Sequence, residues 1–227
     1  MCTVSFLPLK NGGFSFISNR DEAPNRPTLP PKNLNGIIAP KDELKGGTWI
    51  ALSQRKRLVC VLNGARQKHQ RKQVYRKSRG LVLMDVLNAK DNLESFISSY
   101  DFSNIEPFTM IIVDWDKDLS LYELIWDEKE FEFSVKSAEE LYVWSSSTLY
   151  DFNMKAERKE WFDNQVDSVS TQLEFHHYSP QKEYGIIMKR PQVATQSISH
   201  VLYSNGLIRL DYTDLIKGNN HLIEPKW

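Results

Sequence analysis

Residues 1–22 read MCTVSFLPLKNGGFSFISNRDE, and the reading of this stretch decides how the chain begins to fold. Cys2 to Leu7 alternates in β-favouring residues, Lys10-Asn11-Gly12-Gly13 is turn chemistry, and Phe14 to Ser18 repeats the alternation. The pattern predicts an antiparallel hairpin. Antiparallel pairing brings the start of the first strand beside the end of the second. Ser18-Asn19-Arg20-Asp21-Glu22 follows the hairpin, so Arg20 and Asp21 are expected close to Cys2.

Working outward, Ala23 to Pro40 holds Pro24, Pro27, Pro30, Pro31 and Pro40 and predicts an irregular surface loop, because proline breaks helices and central strands. Trp49 to Leu52 and Leu58 to Leu62, the latter ending in Asn63-Gly64, predict a second hairpin. A helix is expected from near Ser78, and another over Asn92 to Tyr100 with Leu93, Phe96 and Ile97 on one face. Phe108 to Trp115, Leu119 to Trp126, Phe131 to Val135 and Leu141 to Ser145 read as a meander of strands. Asp151 to Phe175 predicts one long helix, and Ser197 to Tyr203 and Leu207 to Tyr212 a last hairpin around Ser204-Asn205-Gly206. Hairpin connections without βαβ alternation favour an α+β fold of antiparallel sheets covered by helices. One domain is expected over residues 1–227.

Composition narrows the function classes. Lys+Arg and Asp+Glu number 29 each, so no net charge draws the chain to nucleic acid or to an anionic membrane. Charges or turn residues interrupt every apolar run before the ~20 residues a membrane helix needs, which predicts no membrane insertion. Thr3 to Leu9 follows no basic region, unlike a signal peptide, and the two cysteines, Cys2 and Cys60, form no CxxC pattern. A cytoplasmic protein with no metal site and no cofactor is expected.

Cys2 carries the chemistry. Methionine aminopeptidases remove Met before a small residue, so the mature chain is expected to begin with cysteine. Its thiol and its α-amine then share one residue, with reference pKa values of about 8.5 and about 8, and the amine can accept the thiol proton. A nearby guanidinium such as Arg20 favours the thiolate, and a carboxylate such as Asp21 can orient the amine. Arg20 and Asp21 are adjacent, however, and neighbours in a strand face opposite ways.

Met1-Cys2-Thr3, Asn19-Arg20-Asp21-Glu22, Gly46-Gly47-Thr48-Trp49, Leu62-Asn63-Gly64 and Ser78-Arg79-Gly80 resemble, in that order, the motifs of the NRDE family, also called the transport and Golgi organisation protein 2 family. The family in turn is similar to the cysteine N-terminal-nucleophile hydrolases, which include bile salt hydrolase and penicillin V acylase. That resemblance implies a four-layer α-β-β-α sandwich of two antiparallel sheets and hydrolysis of an amide bond. It also implies that Cys2 is the nucleophile, that Arg20 and Asp21 stand for the acylases' Arg and Asp, and that Asn63 helps bind the oxyanion. Gly64 would let backbone approach the substrate, Trp49 would line the pocket wall, and Arg79 would reach the pocket from its Ser-Arg-Gly context. Where the acylases carry a mid-chain Asn this chain offers Ser146 and Ser147, and where they hold a late Arg it has Gln196.

Two functions follow as expectations. The first is a hydrolase that cleaves a carbon-nitrogen amide or a thioester in a small-molecule substrate. The second, motivated by Ser146, Ser147 and Gln196, is a carrier using the same cavity for haem or an acylated lipid without turnover; the family's proposed role in haem handling keeps haem among the ligands. Two further features have plain readings. The basic run Arg66, Lys68, His69, Arg71, Lys72, Arg76, Lys77 and Arg79 could grip phosphates, but it reads more simply as a solvated loop and helix start, since only Tyr75 could stack a base. His176-His177, adjacent on a helix, cannot share one metal and read as residues at a helix end.

Overall fold

Alternation in the opening hairpin sends its side chains to two different layers, and the rest of the fold is arranged around that division. The computed structural model describes residues 3–90, 92–180 and 183–227. Along the chain run β1 (Thr3–Pro8), β2 (Phe14–Glu22), β3 (Thr28–Leu34), β4 (Ile37–Asp42), β5 (Ile50–Ser53), β6 (Arg57–Asn63), α1 (Arg79–Asn88) and α2 (Leu93–Ser99). Then come β7 (Phe108–Asp114), β8 (Ser120–Trp126), β9 (Phe131–Lys136), β10 (Tyr142–Ser145), α3 (Phe152–Gln165), α4 (Val169–His177), β11 (Ala194–Ser204), β12 (Leu207–Asp214) and β13 (Asn219–Ile223).

One sheet has the order β10-β1-β2-β11-β12-β13 and the other β3-β4-β5-β6-β7-β8-β9, with antiparallel pairing throughout. Val4, Phe6, Phe14 and Phe16 are buried in one apolar cluster with Leu58, Val59 and Ile111 of the second sheet, so this is the layer between the sheets. Thr3, Ser5 and Asn19 point the other way, where they bond Arg158 of α3 and His176 of α4. Helices α3 and α4 thus cover the six-stranded sheet, while α1 packs on β5 and β6 of the seven-stranded one. The α+β class and the four-layer α-β-β-α sandwich of two antiparallel sheets are what the structure shows. Among the described residues no helix is long and apolar enough to cross a membrane.

Several elements differ from the sequence reading, among them β10, expected as the last strand of the β7–β9 meander but paired with β1 in the six-stranded sheet. Residues 23–40 are not a loop: β3 and β4 form a hairpin through Asn35 (φ 53°) and Gly36 (φ 77°). Pro30 and Pro31 are tolerated because β3 is the sheet's outermost strand, and they fall with Pro40 of β4 at the register shift between Leu29 and Lys32, where pairing is interrupted. The long helix expected over 151–175 is two helices. It breaks at Val166, and a capping box between Ser168 and Thr171 starts α4, offering the backbone partners that a continuous helix would have supplied. Strand β2 continues to Glu22, so Asn19-Arg20-Asp21-Glu22 lies within the sheet instead of after it, and β11 begins at Ala194. Strand β13, with only intermediate and exposed positions, had no apolar alternation to announce it.

Candidate functional site

Pairing brings Thr3 of β1 opposite Asn19 of β2 on one side and opposite Ser145 of β10 on the other. Cys2, the expected nucleophile, lies outside the described residues; the strand that follows it ends its pairing against the Asn-Arg-Asp-Glu segment. Within that segment the side chains divide. Asn19 and Asp21 face the helices: Asn19 accepts a 2.7 Å bond on Oδ1 from His176 Nδ1, and the Asp21 carboxylate accepts from Tyr150 Oη at 2.7 Å and Thr195 Oγ1 at 2.6 Å. Arg20 and Glu22 face a cavity of about 590 Å³. The opposed directions of Arg20 and Asp21 follow from the alternation of an extended strand.

Residues from four of the five sequence motifs line that cavity: Arg20 and Glu22, Trp49, Asn63, and Arg79. Arg20 is 1% exposed and fully engaged. Its guanidinium donates to Asp42 Oδ2 at 2.6 Å, to Thr28 Oγ1 and the Arg26 carbonyl at 2.9 Å each, and lies 4.6 Å from the centre of the Trp49 ring. Burial, the largest effect, lowers its pKa, while Glu22 and Asp42 act in the other direction. Arg79, the first residue of α1, donates to the Pro107 carbonyl at 3.2 Å and pairs with Glu106 at 3.1 Å; burial lowers its pKa as well. Asn63 closes β6, and among the described residues its buried Oδ1 has no hydrogen-bond partner. A buried acceptor without a donor is uncommon, and here it belongs to a side chain that lines the cavity.

Ser146, Ser147, Gln196, Gly64 and Asp21 are not part of that wall. Ser146 Oγ donates to the Asn63 carbonyl at 2.8 Å, and Ser147 Oγ donates to the Ala65 carbonyl while accepting from Lys155 Nζ at 2.5 Å. The two serines therefore hold the backbone on both sides of Gly64. Gly64 itself has φ +83°, and a Cβ there would meet Thr148 Cγ2 at 3.1 Å and Ser147 Cβ at 3.2 Å, so the close approach it permits is to this segment. Gln196 sits where the β11 register shifts, and its amide donates to the Ala23 carbonyl at 2.9 Å and the Glu22 carbonyl at 3.3 Å. It closes the backbone immediately after the Asn-Arg-Asp-Glu segment.

The basic run of residues 66–79 is tied down by carboxylates. Arg66 pairs with Glu132, His69, Arg71 and Arg79 share Glu106, Lys72 pairs with Glu128, Arg76 with Asp101, and Lys77 with Asp85. Sequence reasoning missed Asp42 and Glu106, two of the three carboxylates of the cavity; the available signal was the run of cations without an acidic residue, which called for carboxylates elsewhere in the chain. It also missed the relay behind the strands. Gln172 Nε2 donates to Ser5 Oγ at 2.7 Å, Ser5 Oγ lies 2.7 Å from His176 Nε2, and His176 Nδ1 meets Asn19. Burial holds His176 well below the usual imidazole pKa, so it is neutral, with Nδ1–H donating and Nε2 accepting. Among the described residues no group of three or more His, Cys, Asp or Glu side chains could hold a metal ion.

A model of the family described as Transport and Golgi organisation 2 matches residues 1–207. No curated protein sequence matches the chain. Three solved structures share its fold. Penicillin V acylase from Agrobacterium tumefaciens has 8% identity, with 98% of this chain and 86% of that chain covered and a TM-score of 0.60. The N-acylethanolamine-hydrolyzing acid amidase ortholog from Caenorhabditis elegans has 11% identity, covering 88% and 92%, with a TM-score of 0.59. A mutant conjugated bile acid hydrolase from Clostridium perfringens has 13% identity, covering 100% and 97%, with a TM-score of 0.52. The shared architecture is that of the N-terminal-nucleophile hydrolases.

Proposed function

As the chain belongs to the Transport and Golgi organisation 2 family, we propose that it is a cysteine N-terminal-nucleophile hydrolase that cleaves a carbon-nitrogen amide, or a thioester, in a small-molecule substrate. The observation that carries this reading is the convergence of four separated motifs on one cavity, with Arg20, Trp49, Asn63 and Arg79 all in its wall. Packing alone gives no reason for motifs so far apart in sequence to meet around empty space. The acylase and the amidase whose fold this chain shares are named for hydrolysis of amides.

In the proposed mechanism, removal of Met1 exposes the α-amine of Cys2. The amine takes the thiol proton, and the thiolate attacks the substrate carbonyl carbon to form a carbon-sulfur bond. Negative charge on the carbonyl oxygen is stabilised by donation from the Asn63 Nδ2 amide and from backbone N–H groups. The terminal ammonium returns its proton to the leaving nitrogen as the carbon-nitrogen bond breaks. Water, deprotonated by the same amine, then hydrolyses the thioester, releasing a carboxylic acid and restoring the thiol. Asp21 orients the amine from the helix-facing side of β2, and Arg20, held by Asp42 and Trp49, contributes a fixed positive charge that favours the thiolate. Ser146, Ser147 and Gln196 act on the wall's backbone, fixing Asn63 and the end of β2, without touching substrate.

The test combines intact mass with turnover. The purified protein is expected to lack Met1, to become acylated at Cys2 by an activated ester such as p-nitrophenyl acetate, and to release p-nitroaniline from acyl p-nitroanilides. Cys2→Ser is expected to lose at least ~100-fold in kcat, since an alkoxide replaces a thiolate as the attacking group. Full activity with Met1 retained, or with Cys2→Ser, would refute the mechanism.

A further inference from the structure

Carboxylates in the cavity wall are outnumbered. Glu106 is a single carboxylate shared by Arg79 at 3.1 Å, His69 at 3.4 Å and Arg71 at 3.5 Å. Asp42 is likewise shared, by Arg26 at 2.5 Å and Arg20 at 2.6 Å, with Glu22 adding a 2.8 Å bond to Arg26. The wall contains six Lys and Arg residues (Arg20, Arg26, Lys45, Arg71, Lys77, Arg79) against Glu22, Asp42 and Glu106. Lys77 is neutralised from behind by Asp85, which leaves five cations facing three carboxylates, a surplus of two positive charges. Among the described residues Lys45 has no carboxylate partner.

Two independent features point the same way. Helix α1 begins at Arg79 and is capped by Ser78, whose Oγ accepts from the Leu81 N–H; Ser78, Arg79 and Gly80 all line the cavity, so the positive end of the helix dipole faces the space. Gly80 admits the Thr48 carbonyl, which a Cβ would meet at 2.7 Å, and so keeps that helix end tight against the cavity wall. In addition Trp49 is 2% exposed, lines the cavity, and carries an indole N–H with no acceptor among the described residues. A buried donor without a partner is costly, and among surplus cations the acceptor that best offsets it is negatively charged.

We propose that this cavity seats an anionic oxygen group of its ligand, a phosphate or a carboxylate, between Lys45, Arg71 and Arg79 at the N-terminus of α1. As a statement about substrate, it rests on the reading of the cavity as the hydrolase's binding site, and it says that the scissile amide or thioester is attached to an anionic moiety. Arg79 supplies the fixed contact, since Glu106 and the Pro107 carbonyl hold its guanidinium in place, whereas Lys45 and Arg71, the latter 3.5 Å from Glu106, stand at the exposed rim. Guanidinium and ammonium groups around one oxyanion make charge-assisted bonds of about twice the strength of neutral ones.

Isothermal titration with inorganic pyrophosphate and with glutarate, at matched ionic strength, tests the proposal and separates phosphate from carboxylate as its source. Saturable binding of one equivalent of either anion is expected, weakened roughly tenfold by Arg79→Gln and roughly threefold by Lys45→Gln, and falling as salt is raised. Lys45 is exposed, so its variant tests the proposal even if Arg79→Gln folds poorly by circular dichroism. Failure of both anions to bind, or binding that is unchanged in Lys45→Gln and in folded Arg79→Gln, overturns it. Turnover of p-nitroanilides with neutral and with carboxylate-terminated acyl chains, measured alongside, separates the two readings: anion binding without turnover of either kind sinks the hydrolase and supports the anion site, and turnover without anion binding does the reverse.

Discussion

Lowering the pH from 7 to 5 is expected to weaken the fold through histidines buried against the helix-facing side of the six-stranded sheet. His200 of β11 is 3% exposed, and its Nε2 lies 2.9 Å from Ser15 Oγ. Asp211 Oδ2, at 4.0 Å from Nδ1, would favour a charged ring, but that carboxylate is 40% exposed and already bonded to Arg209 at 3.1 Å. Burial therefore dominates, Arg209 adds to it, and the ring's pKa falls to about 4. The unfolded chain takes up the proton near pH ~6.5 while the native protein waits until about 4, so the contribution is complete above ~6.5 and is lost as the pH falls through that window. The loss from His200 is about 2 kcal/mol at pH 5 and about 3 kcal/mol at pH 4, a large part of a typical stability of ~5–15 kcal/mol. His176 shifts in the same direction, for the same cause, with His200, His177 and Arg158 adding to it. Urea unfolding of the wild type and of His200→Gln at both pH values measures the effect, since Gln keeps a polar partner for Ser15 and does not titrate. The wild type should lose about 2 kcal/mol more than the variant between pH 7 and pH 5. Losses equal to within about 0.5 kcal/mol would show that His200 is not held neutral by burial.

Two further outcomes follow from geometry. Cys60 is buried, 3.6 Å from Ser18 Oγ, and burial pushes its thiol up to about 12. Native protein at pH 8 should therefore give one fast equivalent of thiol with Ellman's reagent, and the second only in denaturant; two fast equivalents would place Cys60 within reach of solvent. Gly64→Ala must accept φ +83° and a methyl 3.1–3.2 Å from Thr148 and Ser147, so it should cost about 2 kcal/mol by urea titration and displace Asn63. Unchanged stability would mean that the turn relaxes freely.

Most of the architecture was legible wherever apolar alternation and turn residues coincide. The β1–β2 hairpin, the β7–β8–β9 meander and the β11–β12 hairpin all have both signals, whereas β10, expected as the fourth strand of that meander, pairs with β1 in the other sheet. Residues 23–40 misled because proline argues against a central strand and β3 is an edge; the Asn35-Gly36 pair, which favours the positive φ of a tight hairpin turn, was the stronger signal. The 151–175 segment misled because Phe162, Val166, Val169 and Leu173 keep near-helical spacing across the break. The Ser168-x-x-Thr171 capping pattern was visible and should have outweighed the spacing.

For the cavity, the motif residues of its wall could be picked out in the sequence and their partners could not. Asn63, Trp49, Arg79 and Arg20 reach one cavity as the motifs imply, yet Asp42, Glu106, Tyr150 and His176 come from distant strands, loops and helices and are joined only by folding. The same limit explains Ser146, Ser147 and Gln196, which stand where a resemblance puts ligand-binding residues and instead bond backbone carbonyls. What the motif does physically is clearest in β2. Because adjacent residues of a strand face opposite sides, Asn19 and Asp21 are held by the helix layer while Arg20 and Glu22 turn to the cavity. Four consecutive residues thereby tie α4 and Tyr150 to the wall of the cavity, and a change in how α4 seats His176 must be felt one residue away, at Arg20.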